Sequence, residues 1–315
     1  MFLMKWLNNL GVQVLTNFAS PLCYTGNKTR LLPLIDHVLK DVEYHAFFDL
    51  FGGSGVVGLA QDSEVVYYND ADKYISQLLS VIQESKLDKM IKRIEFLIAE
   101  YNLTKDDKQA YLHFRECFNS MGYKLLDDNM YKIRFMANMV LLVLCFYSFN
   151  HFITFNKQGK FTTPAGTHRS SYNKSIKQKL IDFKTRMDSK NLLITNGDFE
   201  KVVDTRILAT HGDLSNDMYF CDSPYILADS QYCRTYGNKW DIEDEERLYR
   251  VCNKINELGG KFILTNLVES KGQKNSLLLT FAKKYNTIDT NVDFGGCNYQ
   301  RRNKKTDKEI LVKNF

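Results

Sequence analysis

His45-Ala46-Phe47-Phe48-Asp49-Leu50-Phe51-Gly52-Gly53-Ser54-Gly55 reads as an apolar strand that ends in a carboxylate and enters a glycine-rich turn. Glycines there let the backbone approach a ligand closely. Taken alone the turn identifies no ligand, since dinucleotide enzymes, P-loop proteins and plain tight turns all use one, and Gly-x-Gly-x-x-Gly fits only in part. There is no Gly-Lys-Ser/Thr, which argues against a nucleotide triphosphatase. The acid at the strand end would repel a pyrophosphate and attract a cationic group, such as an amino acid ammonium or a sulfonium.

Working outward, further strands are expected at Glu64 to Asn69, Met218 to Asp222, Lys261 to Thr265, Asn286 to Asn291 and Glu309 to Lys313. Gly52 to Gln61 and Glu243 to Leu258 read as helical segments after strands. Strands alternating with helices indicate a mostly parallel α/β sheet, whose ligand crevice lies at the strands' carboxyl ends. Asp70 follows the strand Val65 to Tyr68, where a carboxylate can accept both ribose hydroxyls. Tyr219-Phe220-Cys221-Asp222-Ser223-Pro224-Tyr225 is a second strand end, bringing together an acid, a rigid turn and an aromatic face. Asp222 can accept a hydrogen bond from an amine and Tyr225 can stack on a planar base, although Asp-Ser-Pro is also an ordinary turn.

Composition narrows the class. The chain has 315 residues, 44% hydrophobic, with 4 Pro and 17 Gly, which excludes a disordered or fibrous protein. Its 7 Cys are scattered with no CxxC, so reduced thiols in a cytoplasm are expected rather than a disulfide framework or a zinc knuckle. The apolar run Met139 to Phe149 is well short of the ~20 residues that span a bilayer, and no cleavage site follows the apolar start. No membrane partner is expected.

The net charge of +5 is modest, but its distribution is uneven. From Asn129 to Ile181 there is no Asp or Glu, while Lys132, Arg134, Lys157, Lys160, Arg169, Lys174, Lys177 and Lys179 all fall inside. Such a stretch attracts a polyanion, against the alternative of a solvated face. Arg301, Arg302, Lys304, Lys305 and Lys308 form a weaker basic cluster. Tyr74 to Tyr101 carries apolar residues at amphipathic helix spacing, Leu112 to Phe149 continues helical, and Phe152 to Phe155 with Lys160 to Thr163 flank Asn156-Lys157-Gln158-Gly159 as a β-hairpin. A helical bundle with a basic hairpin therefore interrupts the α/β core.

Taken in order, these motifs resemble the Dam-like (D12 class) DNA adenine-N6 methyltransferases, most of all their bacterial and T-even phage Dam members. Tyr24-Thr25-Gly26-Asn27-Lys28 with Leu31, Leu32 and Ile35 resembles the family's motif X, Asp49 to Gly55 its motif I, and Asp222 to Tyr225 its Asp-Pro-Pro-Tyr motif IV. Asn196-Gly197-Asp198-Phe199 resembles the acid-aromatic pair for the cofactor adenine, and Lys308 to Asn314 the closing strand. The likeness covers roughly Tyr24 to the end.

The resemblance implies a doubly wound, Rossmann-like class I methyltransferase sheet with an inserted helical bundle and β-hairpin. The parts would be residues 1–73 (cofactor motifs), 74–190 (target recognition) and 191–315 (the rest of the catalytic domain). It implies S-adenosylmethionine as cofactor, no metal, and double-stranded DNA as partner, bound by a monomer that pairs at most transiently on DNA. Asp49 would lie near the cofactor ammonium within the turn Phe51, Gly52, Gly53 and Gly55, with Asp70 on the ribose. Asp198 would take the adenine amine, Phe199 the ring, and Tyr24 and Lys28 the methionine end. Asp222 and the Ser223 carbonyl would accept from the target amine, with Pro224 shaping the turn and Tyr225 stacking on a flipped adenine. Simpler roles stand beside these: surface charge for Lys28 and Asp70, a core aromatic for Tyr24, a helix cap for Asp198.

On the hairpin, the resemblance implies that Phe149 and Asn150 enter the base stack. Phe152 and Pro164 would touch bases, with Lys157, Lys160 and Arg169 on phosphates. Thr154 stands where GATC-reading members carry a guanine-binding Arg, so GATC does not carry over. Ser223 departs from the usual Pro; its carbonyl survives but rigidity falls. The alternatives are a catalytically weakened DNA-binding relative and a cytosine-N4 DNA methyltransferase.

Overall fold

The computed structural model describes residues 18–23, 26–121, 131–227, 240–290 and 307–315. Strands β1 (Ala46–Asp49), β2 (Val65–Asp70), β3 (Asn191–Asn196), β4 (Asp217–Cys221), β5 (Lys261–Ser270), β6 (Gln273–Lys274), β7 (Asn286–Asp289) and β8 (Lys308–Lys313) form one sheet. Its order is β3-β2-β1-β4-β5-β8-β7, with β6 paired to β5. The first five strands of that order run parallel, and β8 enters antiparallel between β5 and β7. The chain winds outward from β1 to β3, then returns to lay β4 beside β1. This reversal opens a crevice at the carboxyl ends of β1 and β4. The fold is therefore the doubly wound, mostly parallel α/β sheet that the sequence predicts.

The strands alternate with period two. Phe47, Met218 and Phe220 face α1 (Leu32–Leu39) and α2 (Val56–Ala60), whereas Phe48, Tyr219 and Cys221 face the opposite way. That second face packs α8 (Phe199–Ala209), α9 (Ile242–Glu257) and α10 (Ser276–Ala282). Helices are thus needed on both sides, because both faces of the central strands are apolar.

Between β2 and β3 run α3 (Lys73–Glu84), α4 (Leu87–Glu100), α5 (Lys108–Ser120), α6 (Tyr131–Tyr147) and α7 (Lys174–Asp188). The predicted amphipathic stretch is a pair, α3 and α4, broken at Ser85-Lys86. Asp72, Asp107 and Asn173 cap α3, α5 and α7 by accepting from exposed backbone amides. α3 and α7 rest on β2 and β3, and α6 fills the bundle centre. Arg186 of α7 donates to the carbonyls of Leu59 and Ala60 at the end of α2, tying the bundle to the sheet. Among the described residues, no helix is long and apolar enough to cross a membrane.

The hairpin is a loop pinned at two isolated bridges, Ser148 with Ala165 and Phe155 with Phe161. Inside it the Asn156 side chain accepts from Gln158 N and Lys160 N. Its apolar residues hold it down: Phe155 stacks on Tyr74 with ring centroids 3.6 Å apart, and Asn119 exchanges two hydrogen bonds with the Phe161 backbone.

Candidate active site

Four segments meet at the crevice. At the end of β1, the buried Asp49 accepts one hydrogen bond among the described residues, from Gly58 N of α2 at 3.0 Å. Burial pushes its pKa from 3.8 up to about 7; the Gly58 amide opposes this, and the charges of Asp222 and Asp70 add to it. A buried carboxylate with so little compensation suits a cationic ligand group. The turn beyond it depends on glycine. Gly55 sits at φ 73° as the N-cap of α2, and a Cβ on Gly52 would stand 2.2 Å from the Tyr68 ring. Tyr68 in turn donates its hydroxyl hydrogen to the Gly53 carbonyl at 2.9 Å.

Asp70 closes β2, the place expected for a ribose acceptor, but each of its oxygens already takes a backbone amide, from Gly53 and from Asp72, at 2.8 Å. Burial pushes its pKa up to about 7 as well; the Asp72 amide opposes this, the Asp72 charge adds to it, and the Gly53 amide opposes it. Asn69 beside it donates to the Leu50 and Gly197 carbonyls, fastening the β1 and β3 turns together.

Asp198 is the N-cap of α8, and both its oxygens also accept from the single Arg247 Nη2, at 2.9 and 2.8 Å. Phe199 is buried against Phe51 and Trp240, ring centroids 5.1 and 5.9 Å away. Trp240 is anchored by donation to Glu245, a fully buried carboxylate that also accepts from Tyr249, Asn266 and Asn275. Phe51, Phe199 and Trp240 make an apolar wall with Asp198 at its edge, fitted to a planar heterocycle bearing an amine.

At the end of β4, Asp222 Oδ1 takes three protein groups: Lys28 Nζ at 2.8 Å, the Thr265 hydroxyl at 2.9 Å and the Tyr225 hydroxyl at 2.9 Å. Among the described residues Oδ2 has no such partner. The Lys28 ammonium also lies 5.1 Å from the centre of the Tyr225 ring and 3.9 Å from Glu309 of β8. Ser223 is buried, and its hydroxyl has no partner among the described residues. Lys28 belongs to the 3-10 turn Lys28–Leu31, which Asn27 caps.

The structure thus brings Lys28, Asp49, Phe51, Gly52, Gly53, Gly55, Asp70, Asp198, Phe199 and Asp222 to Tyr225 around one crevice. Tyr24 lies outside the described residues, as do Arg301, Arg302, Lys304 and Lys305. The hairpin residues lie elsewhere, on the bundle. Phe149, Asn150, Lys157, Lys160, Pro164 and Arg169 are exposed, whereas Phe152 and Thr154 are half-buried. Thr154 is occupied with Thr162 and Thr163 hydroxyls at 3.2 and 2.7 Å. Arg247, Trp240, Thr265, Glu245 and Glu309 were not foreseen; no local pattern marks them, since each acts by reaching another strand or helix.

A family model described as D12 class N6 adenine-specific DNA methyltransferase matches residues 24–292. The Type II methyltransferase M.FokI of Planomicrobium okeanokoites is 28% identical over 304 residues, covering 94% of this chain and 43% of the relative. The modification methylase StsI of Streptococcus sanguinis is 27% identical over 315 residues, covering 99% and 45%. A DNA adenine methylase of Vibrio cholerae is 22% identical over 251 residues, covering 77% and 79%. The chain spans less than half the length of the first two.

Proposed function

Because the chain belongs to the D12 class N6 adenine-specific DNA methyltransferase family, we propose that it moves a methyl group from S-adenosylmethionine to the N6 amine of an adenine flipped out of duplex DNA. The observation that carries this reading is Asp222: three protein groups converge on Oδ1 while Oδ2 has no such partner among the described residues, which would leave it for a substrate amine.

S-adenosylmethionine, when bound, supplies an electrophilic methyl group on a sulfonium. Asp49 would receive its ammonium, the Phe51, Phe199 and Trp240 wall its adenine, and Asp198 the adenine amine, with Asp70 near the ribose. Lys28, Thr265 and Tyr225 fix the Asp222 carboxylate in one orientation. Asp222 Oδ2 and the Ser223 carbonyl can then accept both hydrogens of a target amine, which favours a tetrahedral nitrogen and exposes its lone pair. Orientation is the main source of acceleration in such a site. The Tyr225 ring offers a stacking face that offsets the few kcal/mol of unstacking a base.

Residues 74–190 would serve target recognition, with the exposed Phe149, Asn150 and Pro164 toward bases, beside the half-buried Phe152, and Lys157, Lys160 and Arg169 toward phosphates. With Thr154 bound up by its neighbours, the bidentate guanine contact, about 1–3 kcal/mol of discrimination, has no donor at this place. GATC is therefore not carried over, and the target stays open among GATC-like, altered and relaxed sequences. We read the protein as a DNA-modifying monomer.

The test exposes unmethylated DNA to the protein and labelled S-adenosylmethionine, followed by digestion to nucleosides, with Asp222→Ala as control. Label in N6-methyladenine, absent with the variant, is the expected result. Label in N4-methylcytosine would move the target to the other amine. No label, with DNA and cofactor still bound, would make this a binding protein on a methyltransferase fold, and the unpartnered Ser223 hydroxyl would be the place to look.

A further inference from the structure

One buried carboxylate beside the reacting centre has no part in the mechanism above. Glu309 stands on β8, 5% exposed, with Oε1 at 2.6 Å from the Tyr225 hydroxyl and Oε2 accepting from the Thr290 hydroxyl at 3.1 Å. The same Tyr225 hydroxyl is 2.9 Å from Asp222 Oδ1. A phenol has one hydrogen to donate. It serves Asp222 or Glu309, and the second contact is a hydrogen bond only when Glu309 brings a proton of its own.

We propose that Glu309 is a positioning residue that acts through Tyr225: protonated, it turns the phenol hydrogen toward Asp222, and ionised, it takes that hydrogen for itself. The proposal rests on the methyl-transfer reading of this site. In the first state Asp222 Oδ1 receives Lys28, Thr265 and Tyr225 together, which draws charge away from Oδ2. In the second it loses the phenol, and Oδ2 becomes the stronger acceptor for the substrate amine. The groups facing Glu309 come from every side: Lys28 from the N-terminal turn, Asp222 and Tyr225 from the β4 end, Thr290 from beyond β7. Burial raises the Glu309 pKa; the Lys28 charge and the Tyr225 hydrogen bond oppose this, Asp222 adds to it, and Thr290 opposes it. The exchange of states is thereby moved above the ordinary glutamate range.

The experiment is single-turnover methyl transfer by the full chain against pH, with S-adenosylmethionine and DNA saturating so that titration of Asp49 and Asp70 does not enter through binding. Glu309→Gln keeps the shape. With its carbonyl toward Thr290 it presents an N–H to Tyr225 and locks the first state. The wild-type rate should rise along a limb as pH increases. Glu309→Gln should lack the limb and stay about tenfold below the wild-type plateau, the size of a charge-assisted hydrogen bond partly lost. Tyr225→Phe keeps the ring and removes the hydroxyl through which Glu309 acts, so it too should lack the limb at whatever rate it retains.

An infrared difference between wild type and Glu309→Gln should show a protonated carboxyl band that fades over the same pH range. This readout needs no turnover. A wild type that transfers no methyl at any pH would defeat the methyl-transfer reading, while the band would still report on Glu309. A Glu309→Gln variant that keeps the limb, or the absence of a protonated carboxyl band, would overturn the proposal.

Discussion

Asp49 and Asp70 are the residues whose chemistry the apo protein bears at a cost. Both have pKa values raised from 3.8 to about 7, so between those values the folded state holds protons that the unfolded chain releases. Stability is therefore greatest below the unfolded pKa and declines as pH rises through about 7. The melting temperature of the free protein should fall between about pH 5 and about pH 8, and S-adenosylmethionine should restore part of the loss. Asp49→Asn keeps an acceptor for the Gly58 amide and removes the charge. It should melt higher than wild type at about pH 8 and show no cofactor-induced rise; a variant that melts lower there would contradict the account of Asp49 as an uncompensated buried charge. On the proposed reading, function at this position is held against stability, as is common where a ligand supplies the missing partner.

At the scale of elements, the turn from β1 into α2 leaves least room for change. A methyl group on Gly52 would meet the Tyr68 ring, and Tyr68 is itself held by Gly53. Gly52→Ala should cost about 1–3 kcal/mol, read by denaturant unfolding, and weaken cofactor binding along with it. The hairpin makes the opposite demand. On the proposed reading its outward residues would meet DNA, and its hold on the bundle comes from Phe155 stacked on Tyr74. Phe155→Ala should lose about 3–5 kcal/mol if the hairpin stays cooperative with the bundle. A much smaller loss together with weaker DNA binding would show that the hairpin opens by itself.

The strands with apolar centres, β1, β2, β4 and the first half of β5, were legible because two-sided burial leaves a continuous apolar run. β3 was not: Asn191 to Asn196 is an edge strand with mostly exposed side chains and polar ends, so no continuous apolar run marks it. β5 runs on to Ser270 because β8 and β6 pair with it there, information that lies in other parts of the chain. The candidate site divides in the same way. Asp49, the glycines, Asp198 and Asp222 sit at the ends of elements and announce themselves by position. Arg247 and Glu309 lie inside a helix and a strand of ordinary composition, and only the packing of α9 on α8 and the insertion of β8 aim them at Asp198 and Tyr225.

For the whole molecule, charge is the property that reaches furthest. The acid-free stretch lies along α6, the hairpin and α7, and part of it is neutralised from outside, as Lys177 pairs with Glu95 at 2.7 Å. Lys157 and Lys160 are exposed at the hairpin tip. DNA affinity should fall linearly on a log–log plot against salt, and Lys157→Ala or Lys160→Ala should each reduce the slope by about 1 without changing which sequence is preferred. A lysine change that alters preference instead would put that side chain on a base.

The meeting of Lys28 with Glu309 across Asp222 also has a meaning in time. A chain emerging from the ribosome makes the Asp49 turn and then Asp222 before β8, which has to enter between β5 and β7 before Glu309 stands beside them. Until residue 309 has been made, a half-synthesised copy can carry Asp222 without the setting described for it. On the proposed reading, a chain stopped before β8 would hold Asp222 without Glu309, and the crevice would lack the side that β8 supplies.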